Sequence, residues 1–224
     1  MPMQVGNVRY LTARDLPNSI PLFPLAGALL LPGSQLPLNI FEPRYLAMLD
    51  AALAGKRIIG MIQPALDENP SNLDHPALAK VGCAGRITSF METQDGRVLI
   101  TLTGICRFRV LEELKVTTPY RQAQIAPFLG DLEQEDDGNV DREALLETFR
   151  AYLDANKLEA DWDNIARASN ASLVNSLSMM APFGPPEKQA LLEAPDLKTR
   201  AETLIAITEI VLARDADGGS TILQ

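Results

Sequence analysis

Few side chains in these 224 residues are suited to chemistry. The only histidine is His75, and the only cysteines are Cys83 and Cys106. A structural zinc site wants about four Cys or His ligands, so this inventory argues against one. His75 stands between Asp74 and Pro76 in a polar stretch. A histidine base needs an oriented nucleophile, and nothing nearby supplies it, so it reads as a solvated loop residue. Ser169, Ser172, Ser176 and Ser178 with Lys188 would be the raw material of a Ser–Lys dyad. Serines in a helical pattern more often cap helices or face solvent. The run from Asp131 to Glu143 holds seven acids and one arginine, but it lacks the ligand spacing and closing glutamate of a calcium loop. The G-x-x-x-x-G-K-[ST], G-x-G-x-x-G and G-x-S-x-G motifs are absent as well. No catalytic residue, metal or cofactor is expected.

Apolar and aromatic groups are better represented at places where a partner could dock. Phe41, Arg44 and Tyr45 open the first expected helix, while Met179, Met180 and Phe183 sit where two later helices join. Methionine is soft and adapts to varied shapes, so these six residues form a candidate peptide-binding set. The alternative is that they pack two structural units together. Arg107 and Arg109 fall opposite the apolar face of their strand, either solvated or facing acidic groups.

The elements that must carry these residues follow from periodicity. Residues 1–20 show no clear pattern and read as a lead-in. Pro21, Pro24, Pro32 and Pro37 punctuate the runs Leu22–Leu25 and Ala28–Leu31 and a third from Leu36. Short strands interrupted by bends, near a barrel rim, are expected. A helix begins at Pro43, with Leu46, Leu49 and Leu53 on one face and Gly55 as a left-handed cap. Ile58–Ile62 reads as a strand, residues 63–80 as a loop, and 121–127 as a further strand.

Between them, alternation in Val81–Met91 and Val98–Val110 gives a hairpin around Asp95-Gly96. A two-residue turn there pairs residues whose numbers sum to 191. Cys83 then faces Phe108 and Cys106 faces Gly85, leaving the thiols as diagonal neighbours on one inward face. They are too far apart for an unstrained disulfide, so both are expected as buried free thiols.

After the acidic stretch the spacing turns helical, at Leu145–Leu153, Leu173–Met180, a short helix ending at Leu192, and a long one opened by Pro195-Asp196. The expected class is α+β. A β-rich unit with one helix spans 1–130, an acidic linker 131–143, a helical bundle 144–214 and a flexible tail 215–224.

Charge follows the same division. Residues 1–130 carry 12 Lys/Arg against 10 Asp/Glu, and residues 131–224 carry 8 against 19. A half with net −11 repels phosphate backbones. No apolar run reaches the roughly 18 residues of a membrane span, and the first residues lack a signal-peptide pattern. A soluble cytoplasmic protein is expected.

The motifs P-L-F-P-L from Pro21, L-P-G from Leu31 and L-P-L-N-I-F-E-P-R-Y from Leu36 resemble the opening of the amino-terminal domain of Lon proteases. So do V-G-C-A-G-R-I from Val81, D-G-R from Asp95, L-T-G-I-C-R-F-R-V from Leu102 and P-Y-R-Q-A from Pro119. K-Q-A-L-L-E from Lys188 and R-A-E-T-L from Arg200 continue the likeness in order. The resemblance implies a PUA-like β-rich pseudo-barrel followed by helices, which in Lon proteases helps to engage substrate and to assemble the ring. The ATPase and peptidase modules, with the Ser–Lys dyad, have no counterpart here. The resemblance thus implies a non-enzymatic module that recognises exposed apolar segments of unfolded or partly folded polypeptides. Expected roles are as an adaptor or modulator in protein quality control, in company with a protease or chaperone, and with weak self-association. The rival reading is a PUA-like nucleic-acid binder using Arg86, Arg97, Arg107 and Arg109. A hydrolase with an unrecognised site ranks last.

Overall fold

A computed structural model describes residues 2–65, 76–133 and 139–218, with side chains to residue 214. It forms two compact units, Met1–Gln134 with Pro182–Leu192, and Glu135–Ala181 with Glu193–Gln224. The first unit contains β1 (Met3–Val5), β2 (Val8–Tyr10), β3 (Ser19–Pro24), β4 (Gln35–Ile40), α1 (Pro43–Ala54), β5 (Ile58–Ile62), β6 (Val81–Glu92), β7 (Val98–Glu113) and β8 (Gln122–Pro127). In the order β7-β6-β5-β3-β8, with β8 also paired to β7, five strands close on themselves. The sixteen-residue β7 makes this possible: its first half pairs with β4 and its second half with β8. The α+β class and the barrel-like sheet agree with the sequence reading.

The barrel interior is filled by Ile20, Leu22, Ile58, Ala84, Cys106, Phe108 and Ala123, all buried. Phe108 owes its place to glycine. A Cβ on Gly82 would lie 2.6 Å from the Phe108 ring and 2.5 Å from the Met61 carbonyl oxygen. Gly104 serves a second close approach, because a Cβ there would collide with the Leu31 carbonyl. Backbone bonds from Gly33 to Gly104 (3.0 Å) and from Gly104 to Ser34 (2.9 Å) hold the two segments together. Residues 28–31 therefore cross β7 as irregular chain, with Leu29, Leu30 and Leu31 buried, not as the strand their composition suggests.

Several local expectations need correction. The lead-in contains the β1–β2 hairpin, whose Val5 and Tyr10 are buried. Pro21, Pro24 and Pro37 lie inside strands, not at breaks. The ladder tolerates them because Pro21 is at the end of the β8 pairing, Pro24 at the end of the β5 pairing, and Pro37 on the outer strand β4. Gly55 ends α1 with φ −110°, while the left-handed residue is Arg57 at φ 61°.

The hairpin register also differs. Thr93 N–H donates to the Arg97 carbonyl (2.9 Å) and Gly96 N–H to the Thr93 carbonyl (3.2 Å). Gly96, at φ 80°, is thus the third residue of a three-residue loop, the next commonest hairpin solution. Pairs near the turn sum to 190, and irregularities at Thr88 and Ile105 shift the register twice. Cys83 faces Arg107 and Cys106 faces Ala84. Adjacent pairs point to opposite faces, so the thiols lie on opposite sides of the sheet. Both are nonetheless buried and outside any disulfide, as expected.

Asp131 and Leu132, taken from sequence as the start of a solvated stretch, are buried. Within the same unit, residues of α5 (Pro185–Glu193) cover part of the barrel. Gln63 Nε2 donates to the Pro185 carbonyl and to Gln189 Oε1, each at 3.1 Å, while Gln189 Nε2 donates to the Val81 carbonyl at 3.1 Å.

The second unit holds α2 (Arg142–Asn156), α3 (Trp162–Arg167), α4 (Asn170–Met180) and α6 (Leu197–Gly218). The short α3 has no counterpart in the sequence reading. Asp141, Asp161 and Ser169 cap their helices by accepting from backbone amides three residues on. Arg142 bridges α2 to the next turns, donating to Asn170 Oδ1 (2.7 Å) and the Ile165 carbonyl (2.6 Å). α6 runs through Gly218, past the expected start of the tail.

Candidate functional site

At one mouth of the barrel a groove of about 730 Å³ opens between four pieces of chain. The end of β3 and the chain beyond β5 supply Pro24, Pro64 and Pro76. The start of α1 supplies Arg44 and Tyr45, and the β7–β8 connection supplies Glu113–Val116 and Thr118–Arg121. Pro43 at the first helical position sets the direction of α1. Tyr45 is buried against Phe23, with ring centroids 4.3 Å apart, and burial raises its phenol pKa. The Arg44 guanidinium lies over the Tyr45 ring at 4.6 Å and is held by Glu42 at 2.8 Å.

The opposite wall is fixed by one arginine. Arg121 grips Glu113 through Nε (2.6 Å) and Nη2 (2.5 Å), and its Nη1 donates to the Pro76 carbonyl (2.7 Å). Thr118 Oγ1 donates to the Tyr120 carbonyl at 2.9 Å and accepts from Gln122 Nε2 at 3.2 Å. Four prolines in the lining remove backbone donors, and the half-buried Tyr120 offers aromatic surface, while Tyr45 is buried between Phe23 and the Arg44 guanidinium. Such a groove suits apolar and proline-tolerant contact with an extended chain. Among the described residues no group of three or more His, Cys, Asp or Glu is placed to hold a metal.

Of the six residues nominated from sequence, Arg44 and Tyr45 line this groove. Phe41 does not, being 58% exposed with the Arg97 guanidinium 5.8 Å from its ring. Phe183 is buried in the first unit, which removes it from any accessible surface. Met179 is half-buried and Met180 is 80% exposed, both on α4 of the second unit. The suggested methionine–phenylalanine corner is thus divided between units.

The remaining candidates have structural roles or lie elsewhere. Ser169 caps α4, and the buried Ser178 hydroxyl donates to the Val174 carbonyl at 2.8 Å. His75 lies outside the described residues. The four arginines of the nucleic-acid reading do not make an unencumbered patch. Arg107 is buried on Asp131, Arg97 pairs with Asp95 at 3.0 Å, and Arg86 donates to the Lys56 carbonyl and Asn7. Arg109 lies over the Phe128 ring at 5.7 Å. Sequence reasoning missed the β7–β8 connection as a wall, although the P-Y-R run from Pro119 was visible.

Comparison with known proteins identifies the family. The profile of the ATP-dependent protease La (LON) substrate-binding domain matches residues 19–209. The Lon protease of Parabacteroides distasonis is 32% identical over 201 residues, which are 85% of this chain and 24% of that protein. The Lon protease of Flavobacterium johnsoniae is 30% identical over 202 residues, with the same shares. This chain therefore spans about a quarter of the length of these relatives, and the match is to the substrate-binding domain, not to a peptidase domain. Among solved structures, the Lon N-terminal domain protein from Xanthomonas campestris superposes with a TM-score of 0.60 and 25% identity, covering 84% of this chain and 97% of its own. The N-terminal domain of the Mycobacterium avium complex Lon protease shares the fold, at TM-score 0.58 and 17% identity. Among the described residues no helix is long and apolar enough to cross a membrane. The chain belongs to the ATP-dependent protease La (LON) substrate-binding domain family.

Proposed function

We propose that this chain is a non-enzymatic recognition module for exposed, extended segments of unfolded or partly folded polypeptides, and that the groove at the barrel mouth is its principal contact surface. The observation that carries the reading is the groove itself, with two tyrosines and four prolines between charged rims, in a family named for substrate binding. Arg44 and Tyr45 form one wall and Tyr120 the other. Phe41 and Met180 are exposed apolar groups that add secondary contacts, with Met179 beside Met180 on α4. The module acts in the cytoplasm as an adaptor or modulator of protein quality control, alongside a protease or chaperone. The net charge of −9 favours clients with basic flanks over nucleic acid.

Calorimetric titration of reduced, unfolded casein tests the reading. Binding below about 100 μM is expected, weakened at least tenfold by Tyr120→Ala and less by Met180→Ala. Absence of heat at that concentration, or full affinity in Tyr120→Ala, would refute the groove as the contact surface.

A further inference from the structure

β6 and β7 outrun the barrel. β5 pairs with β6 only from Met61↔Cys83 to Ile58↔Arg86, and its last bond is Ile87 N–H to the Arg57 carbonyl at 2.8 Å. At Arg57 the positive φ carries the chain away from the sheet. Beyond that point Thr88–Glu92 has β7 on one side and, among the described residues, no strand on the other. All five residues are exposed.

The turn fixes which backbone groups face outward. Thr93 and Arg97 are a hydrogen-bonded pair, and such pairs alternate with non-bonded ones along an antiparallel ladder. Met91↔Leu99 is therefore bonded, while Phe90↔Ile100 and Glu92↔Val98 are not. The N–H and C=O groups of Phe90 and Glu92 point away from β7, into the space that β5 vacates.

Natural edges are usually blunted by proline, charge, bulges or extreme shortness; this one carries Glu92 at its tip and an irregularity at Thr88 at its barrel end. Here the five residues contain no proline and no lysine, and Phe90 and Met91 are 50% and 57% exposed. Phe90 continues the cross-strand row Leu38–Ile100 on one face, and Met91 continues Asn39–Leu99 on the other. The edge also has polarity, with Lys56 and Arg57 exposed at its barrel end and Glu92 at its tip.

We propose that Thr88–Glu92 is a β-augmentation site that takes an extended, proline-free segment of a client polypeptide as an added strand. This rests on the polypeptide-recognition reading above and names the part of the client read here. The segment carries an apolar side chain in register with Phe90, an acidic residue toward Arg57 and a basic residue toward Glu92. A client is favoured over a second copy of this chain. Two folded copies meeting along five residues bury far less than the roughly 1,000 Å² a stable interface needs, whereas a flexible chain continues past both ends of the edge.

The test uses a fluorescein-labelled twelve-residue peptide of alternating Val and Thr, with two Glu at one end and two Lys at the other. Phe90→Pro removes only an outward N–H, the position at which an edge tolerates proline. Expected results are binding by the native chain and at least a tenfold loss in Phe90→Pro. In the native chain, amide exchange at Phe90 and Glu92 should slow at least tenfold on saturation with peptide. This second readout does not depend on the variant folding. Native affinity in a folded Phe90→Pro variant overturns the proposal, as does unchanged exchange at those two amides. Failure to bind the peptide while unfolded casein still binds overturns it and leaves the groove reading standing. Failure to bind casein removes both. A dimer in sedimentation that Phe90→Pro dissolves overturns it in favour of a second copy.

Discussion

Arg107 and Asp131 form a bidentate ion pair, Nη2 to Oδ1 at 2.7 Å and Nε to Oδ2 at 2.8 Å, with both side chains about 5% exposed. The same carboxylate accepts the Arg107 backbone N–H at 2.8 Å, and Arg107 Nη1 donates to the Leu192 carbonyl at 3.1 Å. The pair joins the outer face of β7 to the 3-10 turn Leu129–Leu132 that follows β8. Removing one partner strands a desolvated charge. Asp131→Ala should therefore destabilise the first unit by about 3–5 kcal/mol, whereas the double change Arg107→Met/Asp131→Leu should cost far less. Urea unfolding of the three proteins measures the difference, and equal losses in both variants would contradict this account.

A second prediction concerns the crossing at Gly104. Its hypothetical Cβ meets the Leu31 carbonyl and the Pro32 Cα. These are backbone atoms that cannot swing aside. Gly104→Ala should destabilise by about 1–3 kcal/mol through overpacking. Gly130→Ala meets nothing within 4 Å and should stay within about 0.5 kcal/mol of the parent. Paired thermal melts decide it.

The contrast between these residues explains what the sequence could reveal. β8, α1, α2 and α4 follow from local periodicity, because each buries one face along contiguous residues, and β5 follows from a short apolar run that is buried throughout. The β6–β7 register does not, since Asp95-Gly96 fits both a two-residue and a three-residue loop, and bulges at Thr88 and Ile105 have no local signature. Asp131 looked like one more acid in an acidic run because its partner lies 24 positions away. The groove is assembled from four separated segments. Only Arg44 and Tyr45 announced themselves, by opening a helix, while Tyr120 and Arg121 depend on pairing that no spacing rule reveals.

The two thiols should be inert in the folded protein. Burial, and secondarily the nearby Asp131 carboxylate, push the Cys106 thiol up to about 12, and Cys83 is equally enclosed. Reaction requires a thiolate in reach of the reagent. At pH 8 an aromatic disulfide reagent should modify neither cysteine without structural opening, and should titrate both at once in 6 M guanidinium. Stoichiometric labelling of the folded protein within minutes would contradict the barrel packing.

Acid should weaken the fold through identifiable caps. The Asp15 carboxylate accepts from the amides of Leu11 and Thr12, both at 2.8 Å, and these bonds hold it below the ordinary 3.8. Asp196 is lowered chiefly by the Thr199 amide at 2.7 Å, and Asp95 chiefly by the Thr93 hydroxyl. In each case the folded-state value lies below the unfolded one. The unfolded chain therefore binds the proton more tightly, and the stabilisation is complete above about pH 4 to 5 and disappears as pH falls through the lower folded value. From pH 7 to 5 these groups contribute no slope. Below pH 4 the unfolding midpoint should drop, and Asp15→Asn/Asp196→Asn should flatten that drop while asparagine still caps at neutral pH. Thermal unfolding at half-unit steps from pH 7 to 2.5 reads this directly. An acid limb of equal steepness in the double variant would show that other carboxylates control it.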